Sequence, residues 1–229
     1  MSNTKKTKLL FIGNSATYVH NVPDTLATLA TAAGFPTQSI QITKGGYQLC
    51  NHADPETDHG QSVFGLIAQG FDVVFLQDNG NCIFSDEKRR ASIDACLTLD
   101  KTIKESGART NIYVRPPYNY KAYGYAPLEQ CVEFDKLFGK IANKIGADCS
   151  FVNRAFSYIL QNHDINLFGE DNAHTSPEGA YLIVCIMFTS LYKTSATILG
   201  TNGIDPEIAK TLQQTADKIS LEGLIPWEI

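Results

Sequence analysis

Residues 8–21 read KLLFIGNSATYVHN. Four apolar residues, Leu9 to Ile12, stand before the turn formers Gly13 and Asn14, and a hydroxyl follows at Ser15. A short run without polar residues is typical of a parallel strand that is covered on both faces. The stretch therefore predicts a buried strand that ends in a sharp turn. Ser15 in such a turn is either a helix cap or a nucleophile.

The same type of apolar run recurs along the chain and alternates with amphipathic stretches. Further strands are predicted at 39–43, 72–76 and 111–114, with a weaker one at 148–153. Helical spacing is seen at 23–34, 62–70, 86–107, 126–146, 154–162, 177–193 and 206–220. Alternation of this kind predicts an α/β fold with a parallel sheet and helices on both faces. We expect one domain over residues 1–229, with residues 1–7 as a flexible N-terminus.

Composition excludes several classes of function. The 229 residues carry a net charge of -5, which argues against a nucleic-acid partner, because phosphate binding needs a basic surface. No run approaches the roughly 20 apolar residues that span a bilayer, so no membrane partner is expected. The N-terminal apolar run of four residues is shorter than the apolar segment of a signal peptide, which has roughly 7–15 residues. A cytoplasmic location is favoured, with secretion as the alternative if a leader has been removed.

Polar residues cluster where the predicted strands end. Ser15 follows the first strand, KGGYQL (44–49) the second and QDNGN (77–81) the third, while DNAHTSPEG (171–179) precedes a long apolar helix. Each segment alone has an ordinary explanation as a turn or a helix start. However, functional groups of open parallel sheets gather outside the carboxyl ends of the strands. We therefore expect these segments to meet at one edge of the sheet.

Together, these residues could carry out serine-dependent ester hydrolysis. That chemistry needs a hydroxyl, a base and a carboxylate that orients the base, and Ser15, His174 and Asp171 can supply them. It also needs donors for the developing oxyanion, which Gly46 N–H and the Asn79 carboxamide can supply. Asp171 lies three residues before His174, close enough to contact the imidazole.

The four segments resemble, in order, sequence blocks of the SGNH hydrolases, also called the GDSL esterase/lipase family. FIGNSAT, KGGYQL, VVFLQDNG and DNAHTSPEGAYLIV carry the resemblance, which covers residues 8–193. It implies a flavodoxin-like three-layer α/β/α domain without a metal or organic cofactor. It also implies Ser15 as nucleophile, His174 as base and acid, Asp171 as its orienting carboxylate, and an oxyanion hole of Ser15 N–H, Gly46 N–H and the Asn79 side chain.

The sequence departs from the family pattern at two blocks. Asn14 stands where an aspartate is more usual, and the third block reads QDNG instead of the expected G-x-N-D. Gln77 and Asn81 therefore remain alternatives to Asn79 as the side-chain donor. Gly45 likewise remains an alternative to Gly46.

Other polar residues are candidates for contacts with the substrate. His52 belongs to the loop NHADPETDH (51–59), whose histidines and aspartates could ligate a metal. The histidines do not have the i, i+4 spacing of a helical metal-binding pair, however, and no metal site is expected. Arg115 and Tyr118 follow the fourth strand, in a loop with four tyrosines that suits sugars or aromatic acyl groups. We expect Gln77, His52, Arg115 and Tyr118 to bind substrate.

The predicted substrate is a small-molecule ester with a short acyl group, especially an acetylated carbohydrate. No long apolar lid segment is present, which disfavours a lipase. The competing interpretations are a noncatalytic α/β ligand-binding module and a degenerate hydrolase. The sequence leaves the oligomeric state open.

Overall fold

The structure is a computed structural model and describes residues 5–228. Its five strands are all parallel: β1 (Thr7–Gly13), β2 (Thr37–Thr43), β3 (Val73–Leu76), β4 (Arg109–Val114) and β5 (Asp148–Phe151). They pair in the order β2-β1-β3-β4-β5, which is the flavodoxin-like doubly wound order. All five predicted strands are confirmed.

The sequence prediction of a flexible segment over residues 1–7 needs one correction. Residues 1–4 lie outside the described part of the chain. Thr7, however, already belongs to β1, where its N–H donates to the Pro36 carbonyl at 2.8 Å. Lys5 lies just before the strand and forms an exposed ion pair of 3.0 Å with Asp72.

Helices cover both faces of the sheet. The longer ones are α2 (Val22–Ala32), α4 (Asp58–Ile67), α5 (Asp86–Glu105), α6 (Pro127–Ile145), α7 (Val152–Asn162), α8 (Pro177–Tyr192) and α9 (Pro206–Ser220). The sequence pattern predicts each of them, because each repeats apolar residues at helical spacing. Two four-residue helices, α1 (Ser15–Tyr18) and α3 (Leu49–His52), are not predicted, because a single turn shows no periodicity.

Strand side chains alternate between two cores. Leu9, Phe11 and Phe75 pack with α2, α7, α8 and α9, whereas Leu10 and Leu76 pack with α3, α4, α5 and α6. Phe11 and Phe75 are partners in the register of β1 and β3, and their rings stack at 4.6 Å. The result is three layers, α/β/α. Within residues 5–228, no helix combines the length and apolar character needed to cross a bilayer.

Candidate active site

The register of the sheet places the ends of three strands side by side. Gly13 at the end of β1 pairs with Thr43 at the end of β2, and Ile12 pairs with Leu76 at the end of β3. The segments that follow these strands therefore leave the sheet at one edge. Ser15, Gly46 and Asn79 are carried by these three segments.

Asn14 builds the turn that presents Ser15. Its Oδ1 accepts from Ala16 N–H at 3.1 Å, which caps α1, and its Nδ2 donates to the Tyr47 carbonyl at 2.8 Å. A carboxylate could make the first bond but not the second, because it has no N–H to donate. An aspartate, the more usual residue at this position of the SGNH pattern, could therefore not make both bonds. The same side chain ties the Ser15 turn to the loop after β2.

Gln77 supports the same turn from β3. Its Oε1 accepts from Asn14 N–H and from Thr17 Oγ1, both at 2.9 Å. Gly13 leaves room for this amide, because a Cβ at that position would lie 2.6 Å from Thr17 Oγ1 and 2.7 Å from Gln77 Oε1. The Gln77 amide nitrogen donates to the Asp78 carbonyl.

Asp171 and His174 form a hydrogen-bonded pair on the loop before α8. Asp171 Oδ2 lies 2.6 Å from His174 Nδ1, and Asp171 Oδ1 accepts from Ala173 N–H and His174 N–H at 2.9 Å each. The bond to the His174 ring, followed by these N–H groups, holds the pKa of Asp171 well below its usual range. Asp171 therefore stays ionised, and the geometry favours a proton on Nδ1 and a free lone pair on Nε2.

Ser15 and His174 open onto one small cavity, which we call the site cavity. It has a volume of about 260 Å³, and its lining includes Ser15, Gly46, Asn79, Arg115, Tyr118 and His174. Among the hydrogen bonds of residues 5–228, none joins Ser15 Oγ to His174. Catalytic hydrogen bonds are often long before substrate binds, so this geometry is compatible with a serine–histidine pair.

Three N–H donors are grouped around the cavity. In the described part of the chain, neither Ser15 N–H nor Gly46 N–H has a hydrogen-bond acceptor. Asn79 Nδ2 donates one hydrogen to the Gly46 carbonyl at 3.1 Å and keeps a second. Gly46 has φ of +75°, a conformation that other residues rarely adopt. Gly45 instead faces Tyr18, since a Cβ there would lie 3.1 Å from the Tyr18 hydroxyl.

Two residues predicted to bind substrate lie elsewhere. Gln77 is 1% exposed and His52 is 0% exposed, and neither lines the site cavity. The Gln77 amide is used in holding the Ser15 turn, and His52 Nδ1 bonds His59 Nε2 at 2.9 Å. The prediction that they contact substrate is corrected: both point into the protein because their strand-end and helix positions turn them toward neighbouring segments.

Arg115 and Tyr118 do line the cavity, as does Tyr120, another tyrosine of the same loop. Gln130 of α6 fixes this loop. Its Oε1 accepts from Tyr118 N–H at 2.9 Å, and its Nε2 donates to the carbonyls of Tyr120 and Tyr125 at 2.8 and 3.0 Å. The loop is therefore anchored to the scaffold beside Ser15 and His174.

No local sequence pattern indicates which residues hold the His174 loop. Asn119 contacts Asn172 twice, through its N–H to the carbonyl and through Nδ2 to Oδ1, each at 2.8 Å. His20 Nε2 lies 2.8 Å from the Thr175 carbonyl. These contacts join segments distant in sequence, and no local motif predicts them.

The histidines and carboxylates of loop 51–59 do not assemble into a metal site. His52 and His59 contact each other, and burial followed by the nearby His59 lowers the pKa of His52 to about 4. Within residues 5–228, no group of three or more His, Cys, Asp or Glu side chains is arranged to hold a metal ion.

Comparisons with known proteins bear on the fold. No protein-family model matches the sequence, and no curated protein matches it either. Among solved structures, a candidate SGNH hydrolase from Slackia heliotrinireducens superposes with a TM-score of 0.71 at 23% identity, covering 82% of this chain and 100% of that one. A DUF4886 family protein from Bacteroides uniformis gives a TM-score of 0.79 at 17% identity, covering 98% and 100%.

A third structure has a described activity. A variant of Axe2, an acetyl-xylooligosaccharide esterase from Geobacillus, gives a TM-score of 0.63 at 15% identity, covering 90% of this chain and 98% of that one. Identities this low establish similarity of fold only. The five-stranded parallel sheet, its strand order and these superpositions agree, and the chain therefore has the SGNH hydrolase fold.

Proposed function

We propose that this protein is a serine esterase with Ser15 as nucleophile, His174 as general base and acid, and Asp171 as the residue that orients His174. One observation carries the proposal. His174, whose ring is bonded to Asp171 at 2.6 Å, lines the same cavity as Ser15. A binding module has no need of a histidine oriented by a carboxylate beside a serine hydroxyl.

The proposed reaction follows from these positions. Ser15 Oγ attacks the ester carbonyl carbon and gives its proton to His174 Nε2, while Asp171 stabilises the imidazolium through Nδ1–H. The carbonyl oxygen becomes an oxyanion, and Ser15 N–H, Gly46 N–H and the second Asn79 N–H are the donors available to it. The bond to the alcohol oxygen then breaks, and that oxygen takes the proton from His174.

Water completes the cycle. It attacks the acyl–Ser15 carbonyl while His174 removes a proton, and the acid leaves as Ser15 Oγ regains its hydrogen. Every proton transfer uses His174, so the scheme requires neither metal nor organic cofactor.

We propose a short-acyl ester of a small polar molecule, such as an acetylated carbohydrate, as substrate. The site cavity of about 260 Å³ is smaller than the roughly 300–1,000 Å³ typical of small-molecule pockets, which favours a small acyl group. Tyr120 stacks on Tyr118 at 5.2 Å, is exposed at the rim of the cavity and offers a flat apolar face with a polar tip, which suits a sugar ring. The described activity of the Axe2 structure is of the same class.

The test compares wild type with Ser15→Ala, using a fluorophosphonate probe and the turnover of 4-nitrophenyl acetate. Ser62→Ala is a matched control, because Ser62 lies on α4, where its hydroxyl bonds only the Asp58 carbonyl. We expect labelling of wild type and Ser62→Ala, and a loss of at least about 10³-fold in turnover for Ser15→Ala. A folded wild type without labelling or turnover would instead identify a noncatalytic binding module or a degenerate hydrolase.

The acyl length is tested separately with 4-nitrophenyl acetate, butyrate and octanoate and with acetate release from acetylated xylo-oligosaccharides. We expect kcat/KM to fall as the acyl chain lengthens. Preference for octanoate would contradict the short-acyl assignment without affecting the assignment of Ser15.

A further inference from the structure

Arg115 is a buried charged residue in the wall of the site cavity. It directly follows β4, at the same sheet edge as the Ser15 turn, and the residue is 3% exposed. It lines the cavity together with Ser15 and His174. A guanidinium remains charged at all physiological pH values, so its burial requires compensation.

Within the described part of the chain, Arg115 lacks a carboxylate partner. Its Nε donates to the Pro116 carbonyl at 2.8 Å, whereas Nη1 and Nη2 make no hydrogen bond and no ion pair within 4.0 Å. Neither Nη atom is among the fully buried side-chain atoms that lack a partner, which are Gln41 Oε1, His52 Nε2, Asn81 Oδ1 and Asn153 Oδ1. Each Nη atom of Arg115 therefore keeps some exposed surface, and the open space that Arg115 lines is the site cavity.

The nearby acid, Asp78, is already satisfied by other groups. Its carboxylate accepts from Leu49 N–H at 2.8 Å, Asn79 N–H at 2.7 Å and Ser92 Oγ at 2.5 Å. Burial raises the pKa of Asp78, while these hydrogen bonds and then the nearby charge of Arg115 lower it, and no hydrogen bond joins the two residues. Asp78 thus holds the segment after β3. It makes no hydrogen bond to the Nη atoms of Arg115.

Arg154 is a second arginine that stacks on an aromatic ring, and its contacts differ from those of Arg115 in one respect. It stacks over Phe151 at 3.8 Å and binds Asp135 through two nitrogens, at 2.6 and 3.1 Å. Arg115 stacks over Tyr118 at a similar 4.1 Å. The two arginines share the aromatic contact, but only Arg154 has the carboxylate.

Packing fixes the direction of the Arg115 guanidinium. Gly80 lies against it, and a Cβ at that position would fall 2.5 Å from Arg115 Nη1 and 2.6 Å from Tyr118 Cε2. Phe134 lies on another side, with its ring centre 5.8 Å from the guanidinium carbon. A guanidinium held in this way is ready to bind a planar oxyanion through two donors.

We propose that Arg115 is the anion-binding residue of the site and that the natural substrate is an ester that also carries a carboxylate. This inference rests on the proposed esterase function and adds the charge class of the substrate. The carboxylate of the substrate would bind the Arg115 guanidinium in the way that the Asp135 carboxylate binds Arg154. It could belong to the acyl group or to the alcohol, and the experiment separates these two sources.

The experiment measures kcat/KM for two pairs of esters matched in size. In the acyl pair, 4-nitrophenyl hydrogen glutarate is compared with neutral 4-nitrophenyl pentanoate. In the alcohol pair, 4-acetoxybenzoate is compared with neutral 4-acetoxybenzamide. The readout is the anionic-to-neutral ratio within each protein, measured for wild type, Arg115→Gln, Arg115→Lys and Arg154→Gln. A general loss of activity cancels in this ratio.

We expect wild type to prefer the anionic member of one pair by about ten- to a hundredfold. The anionic-to-neutral ratio should fall toward 1 in Arg115→Gln and should match wild type in Arg154→Gln. In Arg115→Lys it should lie between 1 and the wild-type value, because lysine keeps the positive charge but not the two parallel N–H donors of a guanidinium. The pair that shows the preference identifies the side that carries the carboxylate.

The ratios measured for wild type alone can contradict the anionic substrate, so this part of the test does not require the variants to fold. Ratios near or below 1 for both pairs in an active wild type would reject the anionic substrate and leave the esterase assignment intact. Ratios that are high but equal in wild type and folded Arg115→Gln would reject the role of Arg115. Absence of turnover and of fluorophosphonate labelling in wild type would instead reject the proposed function itself.

Discussion

Gln77 Oε1 accepts the backbone N–H of Asn14 at 2.9 Å, so the end of β3 holds the turn that presents Ser15. The same oxygen accepts from Thr17 Oγ1, and all three residues are buried. A residue that looks in the sequence like a substrate ligand is therefore a support for the proposed nucleophile.

Gln77→Ala should lower both stability and activity. It leaves the N–H of Asn14 and the hydroxyl of Thr17 buried without an acceptor, which costs about 1–3 kcal/mol. Urea unfolding measures the loss, and kcat/KM on 4-nitrophenyl acetate reports the effect on the turn. Gln69→Ala is the control, because Gln69 is exposed. Equal unfolding midpoints for Gln77→Ala and Gln69→Ala would contradict the supporting role.

Asn79→Ala should reduce kcat by about 10²–10³-fold, the usual effect of removing one oxyanion donor. Asn81→Ala should have a much smaller effect, because Asn81 is not part of the cavity lining. The two variants, assayed side by side with circular dichroism as a check of folding, decide between the alternatives in the third block. A larger loss in Asn81→Ala would reverse the assignment.

Asp171→Asn should reduce kcat/KM by about 10²–10⁴-fold with the fold retained. The amide carries no negative charge, so it cannot stabilise the imidazolium, and its NH2 group can turn toward His174 Nδ1 and disfavour the required tautomer. Asp164→Asn is the matched control, since Asp164 stands beside His163 in the neighbouring, exposed loop. If the two variants lose activity equally, Asp171 has no specific role.

His52 should make the protein less stable as the pH falls from 6.5 toward 4. Burial and then the nearby His59 lower the pKa of His52 to about 4 in the folded state, against 6.5 in an exposed histidine. In that interval the unfolded chain binds a proton that the folded chain does not, so acid favours unfolding, by up to about 3 kcal/mol in total.

Urea unfolding at pH 7, 5.5 and 4.5 measures this dependence. His52→Gln should flatten the curve between pH 6.5 and 4.5, whereas His163→Gln, which changes an exposed histidine, should follow wild type. A wild-type unfolding free energy that is constant over this range would show that His52 does not carry the effect.

Local sequence predicts most of the strands and the longer helices. Leu9 to Ile12 are four successive apolar residues, each 0% exposed here, and such a short run bounded by turn formers is typical of a strand covered on both faces. The longer helices follow from the period of their apolar residues. Asp171 and His174 contact each other because three residues of chain separate them, so this pair needs little tertiary information.

Only the tertiary structure decided which polar residues at the sheet edge face the cavity. Gln77, Asn79 and Arg115 all follow strands, yet Gln77 turns inward to the Ser15 turn while Asn79 and Arg115 line the cavity. His52 turns inward as well, toward His59. These directions depend on hydrogen bonds and packing between segments that are far apart in the chain. The sequence pattern predicts which side chains lie at the edge of the sheet. The hydrogen bonds and packing that each side chain makes with other segments determine whether it faces the cavity or the interior.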